Sequence, residues 1–76
     1  MDPMLQALWY DAKGNWDQAH HIVQEIDSDM ASCIHAYLHR KEGDLGNAGY
    51  WYRRAGRSTT ELDLQAEWEQ LVRELL

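Results

Sequence analysis
The hydrophobic positions of this chain recur three and four residues apart, the spacing of one helix face, and no segment alternates in the manner of a strand. Asp2-Pro3 opens the first helix, since an Asp cap accepts from exposed backbone N–H groups and Pro at the first helical position forfeits no hydrogen bond. Leu5, Leu8, Trp9 and Ala12 form its apolar stripe, and Gly14 ends it. Asn15, with Gln18 three residues on, predicts the cap of a second helix whose stripe is Trp16, Ala19, Ile22, Val23 and Ile26. Asp27-Ser28-Asp29 interrupts, and a third helix runs to Glu42 with Met30, Ile34, Tyr37 and Leu38 on one side. Gly43 and Asp44 separate it from a fourth, carrying Leu45, Ala48, Tyr52 and Ala55 and closed by Gly56. Ser58 and Glu61 stand at capping-box spacing before a last helix with Leu64, Trp68, Leu71, Val72 and Leu75 in line and Glu61, Glu67, Glu69 and Glu74 off that line. The expected fold is all-α.

A shift of 29 residues lays the chain on itself: Gly14 falls on Gly43, Ala7 on Ala36 and Ala19 on Ala48, with larger apolar residues matching around them. A Gly at the reversal and an Ala on each side are what two closely packed antiparallel helices need. The expected architecture is two helical hairpins, residues 1–27 and 28–57, closed by a helix within 58–76, in a single domain.

A length of 76 residues limits the core, and a lone Cys33 closes no internal disulfide, which suits a reducing, cytoplasmic setting. The opening MDPMLQ has no basic or apolar leader, and no apolar run approaches the roughly 18 residues of a membrane span. The net charge of -6 is uneven. Residues 1–29 set Lys13 against six acids, residues 30–57 set Arg40, Lys41, Arg53, Arg54 and Arg57 against Glu42 and Asp44, and residues 58–76 set Arg73 against five acids. A basic centre between acidic ends reads either as segments that attract one another on folding or as a local anion-binding patch. Nucleic acid is not an expected partner, because the molecule as a whole repels a polyanion.

The stretch AYLHRKEGDLGNAGYWYRRAG, residues 36–56, resembles the helix-turn-helix of a tetratricopeptide repeat, through Ala36, Gly43-Asp44, Ala48, Tyr52 and Ala55. Residues 5–27 share less of the pattern, in Ala7, Tyr10, Gly14 and Ala19, and the period is 29 where that class has about 34. The resemblance implies a module for binding protein or peptide, with Met30, Cys33, Tyr37 and Arg40 at the peptide-facing positions. These lack the Asn and Lys pattern of repeats that clamp a C-terminal carboxylate. The block HAYLHR, EGD, NA and YWYRRAG also looks like a family of short uncharacterised bacterial proteins, which implies a bacterial source and no particular activity.

Two groups of side chains could carry chemistry. His35 and His39 stand four apart with Glu42 three further, and His20 lies on the neighbouring helix, so His20, His35, His39 and Glu42 form a candidate metal set. The structural alternative is histidines engaged in local hydrogen bonds. Tyr50, Arg54 and Arg57 share a helix face beside Trp51 and Arg53, an arrangement able to grip a carboxylate or phosphate, unless the arginines pair with glutamates of the last helix. Gly46 and Gly49 inside the fourth helix suggest close approach of another helix. Cys33 reads as a buried, inert thiol.

The expected function is a non-enzymatic interaction module for a protein or acidic peptide, capable of homodimerising and needing no cofactor. Its binding residues would be His35, His39, Tyr50, Arg53, Arg54 and Arg57, exposed at an edge if the last helix fills the groove. The alternative is a metal- or small-ligand-binding protein, or a hydrolase, centred on the histidines.

Overall fold
Side-chain acceptors begin each of the first four helices. Asp2 Oδ1 accepts from the Met4 N–H at 2.7 Å, Asn15 from Gln18 at 3.2 Å, Ser28 from Ala31 at 3.1 Å and Asp44 from Asn47 at 3.2 Å. The computed structural model describes residues 2–76, arranged as α1 (Pro3–Ala12), α2 (Trp16–Gln24), α3 (Asp29–Glu42), α4 (Leu45–Arg54) and α5 (Leu64–Leu75). The expected all-α fold is the one found: α1 packs on α2, α3 packs on α4, and α5 lies across α1 and α3. No helix among the described residues is long and apolar enough to cross a membrane.

The internal repeat is visible in the backbone. Gly14 and Gly43 both take positive φ, 85° and 92°, at the reversal of their hairpins. A side chain is strained there, which explains why both copies use glycine. The paired small residues Ala7, Ala36, Ala19 and Ala48 are all buried, bringing the helices of each pair close together.

The helix α3 forms the centre. Every residue from Ala31 to His39 is buried, because α2 and α4 flank it while α1 and α5 cover its remaining side. Leu8, Val23, Ile34, Leu38 and Leu71 are the largest apolar side chains fully enclosed around it, each contributing roughly 1.5 to 3 kcal/mol by leaving water.

Several details differ from expectation. The last helix starts at Leu64, capped by Asp63, whose Oδ1 accepts from Ala66 N–H at 2.8 Å, so Ser58 and Glu61 form no capping box. The preceding segment is irregular and is held by two contacts: Thr60 Oγ1 accepts from Leu62 N–H, and the Arg40 guanidinium donates to the Leu62 carbonyl. Trp9 and Leu45, at stripe positions, are 50% and 68% exposed, since each sits at the outer border of its helix's buried face.

Gly46 and Gly49 do not mediate close packing. A Cβ on Gly46 would meet nothing within 4 Å, and one on Gly49 only the Arg53 guanidinium at 3.5 Å. Gly46→Ala is therefore expected to stabilise the protein by about 0.5 to 1 kcal/mol, through helix propensity alone. A chemical denaturation midpoint equal to or below that of the wild type would contradict this.

Candidate functional site
The antiparallel pairing of α2 with α3 sets His20 opposite His35, and the four-residue step along α3 puts His39 one turn away. Ring nitrogens of all three lie within 4.8 Å of one another. The closest approach is His20 Nε2 to His35 Nε2, 3.0 Å. Two imidazole nitrogens at that distance share one proton, so one ring donates and the other accepts.

Indoles wall the trio on both sides. Trp16 stacks on His20 with ring centroids 4.9 Å apart, and Trp51 stacks on His35 at 3.8 Å with ring planes 14° from parallel. Trp16 is fixed by its own Nε1–H, which donates to the Leu38 carbonyl at 2.7 Å. His35 also stacks on His39 at 4.9 Å. Burial is the main reason that the pKa of His20 is lowered and that of His35 falls to about 4, with the neighbouring histidines and Arg54 adding to the latter shift. Both rings are therefore neutral at pH 7, the form in which imidazole binds a metal.

Outside the trio, His39 Nδ1 lies 2.7 Å from Glu42 Oε1, and its Nε2 lies 3.4 Å from Asn47 Nδ2. A donor at Nδ1 and an acceptor at Nε2 satisfy both neighbours, and the single Nε2 lone pair is then shared with the Asn47 amide, a long contact that an ion would have to displace. A carboxylate on the far nitrogen of a histidine is the usual outer support of a metal ligand. Glu42 also belongs, with His39 and Asp44, to a second group whose possible ligand atoms lie within 4.8 Å of one another, so the geometry allows it either role.

The sequence-based edge of binding residues is divided by the structure. His35 and His39 are 4% and 7% exposed, so they are not surface residues as expected: the central helix has no free edge. Arg57 is engaged by Glu74 at 2.6 and 3.0 Å, the structural pairing considered above. Tyr50, Arg53 and Arg54 are exposed, with Arg54 lying over the Trp51 ring at 5.1 Å. The peptide-facing positions are not free: Cys33 and Tyr37 are buried, Arg40 donates to Glu67 of α5, and Met30 lies beside the Arg57 guanidinium. Burial raises the Cys33 thiol to about 11, consistent with an inert role.

Two buried carboxylates escaped the sequence reading. Asp11 Oδ2 accepts from Tyr37 Oη at 2.7 Å and Oδ1 from Lys41 Nζ at 2.9 Å. Glu67 accepts from Arg40 at 2.7 Å and from Tyr52 Oη at 2.5 Å. Burial and then these hydrogen bonds push both phenol pKa values upward, so the tyrosines stay protonated as donors. The signal was position: Asp11 lies three residues after Leu8, and Glu67 three after Leu64 and four before Leu71.

No protein-family model, no curated protein and no solved structure matches this chain, so the site is interpreted from its own geometry.

Proposed function
We propose that the protein binds one divalent transition-metal ion through His20, His35 and His39, with Glu42 orienting His39. The observation that carries this reading is the convergence of three imidazoles within 4.8 Å. Ligand nitrogens about 2.0 to 2.1 Å from a tetrahedral ion are about 3.4 Å apart, and the closest pair here, at 3.0 Å, is already near that separation. Neutral imidazoles suit zinc, copper and nickel. Three protein ligands leave a coordination position open, which would let the ion polarise a bound water or an oxygen donor. This reading is preferred to a peptide module because Cys33 and Tyr37 are buried and Arg40 is bonded to Glu67 of α5, where such a module would hold its peptide.

Titration of tag-free, chelator-stripped protein with Zn2+ and with Co2+ tests the centre. One equivalent is expected to bind, with Co2+ giving the visible bands of a nitrogen-ligated site. His20→Ala, at the partly exposed ligand, is expected to weaken binding by about 100-fold or more, and Glu42→Gln by about tenfold, as loss of an outer support does. Well under one equivalent bound, or an affinity indifferent to His20→Ala in a folded variant, would refute the centre.

A further inference from the structure
The histidines stand on α2 and α3, whereas α1 and α5 enclose a groove of different character. Its cavity of about 220 Å3 is lined by Leu5, Leu8 and Trp9 of α1 and by Trp68 and Val72 of α5. The Trp68 Nε1–H donates to the Leu8 carbonyl at 2.9 Å, so that indole presents only apolar surface to the groove. Trp9, at the rim, is 50% exposed. An aromatic centre without charged side chains is the composition of an interface core, in contrast to the cleft beside Trp51, which is lined with Glu25, Asp27 and Arg54.

The charges around the groove indicate what covers it. Asp2, Gln6, Trp9 and Lys13 follow one another at helical spacing and form a single row along α1, and all four are exposed. The row starts with an acid, ends with a base and is symmetric about its middle: in the reverse direction Asp2 falls on Lys13 and Gln6 on Trp9. Two α1 helices laid antiparallel about a twofold axis therefore bring each Lys13 against the Asp2 of the other copy, with the helix dipoles in the favourable opposed sense. Both groups are available for this. Lys13 Nζ lies over the Trp9 ring, 5.5 Å from its centroid, and pairs with no carboxylate among the described residues, while Asp2 uses Oδ1 for the Met4 N–H. On the exposed side of α5, Glu69 and Arg73 stand one turn apart and also balance. Two copies of a chain with net charge -6 repel over most of their surface, and they meet without that penalty on a face whose acids and bases cancel.

We propose that the protein forms a twofold-symmetric homodimer through the groove between α1 and α5, with the two α1 helices antiparallel. Leu5, Leu8, Trp9, Trp68 and Val72 are its apolar centre, Trp9 of each copy lying against the groove of the other. Asp2 and Lys13 form its rim and set the register. This surface shares no residue with the histidine trio, so the dimer stands or falls independently of the metal centre.

Sedimentation velocity in the presence of a chelator, from about 10 μM to about 1 mM protein, tests the interface free of metal-bridged species. The wild-type mass is expected to rise with concentration from 8.9 kDa toward twice that value. Trp9→Ala is expected to weaken association by about 100-fold or more, because the side chain acts once in each copy. Lys13→Glu and Asp2→Lys each set like charges opposite one another at both ends of the α1 pair, and each is expected to weaken self-association by about tenfold. An equimolar mixture of these two variants restores opposite charges at both ends and is expected to associate about as tightly as wild type. Far-UV circular dichroism establishes that each variant is folded, Asp2→Lys in particular, since it also removes the cap of α1. Wild type that stays at 8.9 kDa throughout overturns the proposal and leaves the groove to a different partner. Association unchanged by Trp9→Ala, or a mixture that associates no more tightly than its separate components, overturns this interface as well.

Discussion
Replacement of Glu67 by alanine is expected to leave the protein largely unfolded at 37 °C. Its carboxylate is 6% exposed and takes two donors, the Arg40 guanidinium at 2.7 Å and the Tyr52 hydroxyl at 2.5 Å. Removing one partner of a buried charge pair typically costs about 3 to 5 kcal/mol, because the remaining charge is left without compensation. A single core in a domain this small supplies roughly 3 to 5 kcal/mol in total, so the loss is comparable with the whole stability. The position of Glu67 sharpens the expectation. It is the contact through which α5 is tied to α3 and α4 at once, and α5 is also what covers Cys33 and contributes the buried Leu71. Glu67→Gln keeps the volume and an acceptor for Tyr52 but leaves Arg40 without its counter-charge, and is expected to cost about 1.5 to 3 kcal/mol. Thermal melts followed by far-UV circular dichroism discriminate: each kcal/mol corresponds to about 4 to 8 °C in a domain of this size. An alanine variant melting within a few degrees of wild type would show that the network contributes little.

Glu67 also shows where sequence reading ends. Helix existence and the two-hairpin pattern were legible, because Asn15, Ser28 and Asp44 are local acceptors for N–H groups three residues on and Gly14 and Gly43 are local conformational switches. Those features act within one turn, so the linear order of residues contains them. The burial of Asp11 and Glu67 depends instead on cations and phenols 15 to 30 residues away, namely Tyr37 and Lys41 for one and Arg40 and Tyr52 for the other. The histidines fall between these cases. Spacing brought His35 and His39 onto one helix edge and placed His20 on the facing helix, which is why the set could be assembled from sequence. The Trp16 and Trp51 walls could not be anticipated, since each needed the rotamer adopted in the folded groove. Nor could the 2.7 Å contact of Glu42 Oε1 with His39 Nδ1, since spacing alone offered Glu42 only as a further ligand.

The metal-free protein is expected to lose stability between pH 6.5 and pH 4, a range in which most carboxylates remain charged. The folded-state pKa of His35 is about 4, whereas an unfolded histidine titrates near 6.5. Between these values the unfolded chain holds a proton that the folded protein excludes, so acidification favours unfolding, and above pH 6.5 the two states bind equally few protons. At pH 5 the imbalance at His35 alone amounts to about 2 kcal/mol, and His20, whose pKa is lowered by the same burial, acts in the same direction. The groups around His35 all oppose its protonation: His20 from α2, His39 from its own helix and Arg54 from α4. Chemical denaturation at pH 7.5 and pH 5 should therefore give free energies differing by about 2 kcal/mol or more. His35→Phe keeps a ring against Trp51 and removes the titration, so its difference between the two pH values should be smaller by about that amount. Zinc at 100 times its dissociation constant adds about 2.7 kcal/mol at pH 7.5 and less at pH 5, because protons and the ion compete for the same nitrogens. The ion should thus steepen the pH dependence in wild type. A wild-type stability that is flat from pH 7.5 to pH 5 would mean that the trio accepts a proton in the folded state, and hence that its rings are not held in the desolvated, neutral form that ready coordination requires.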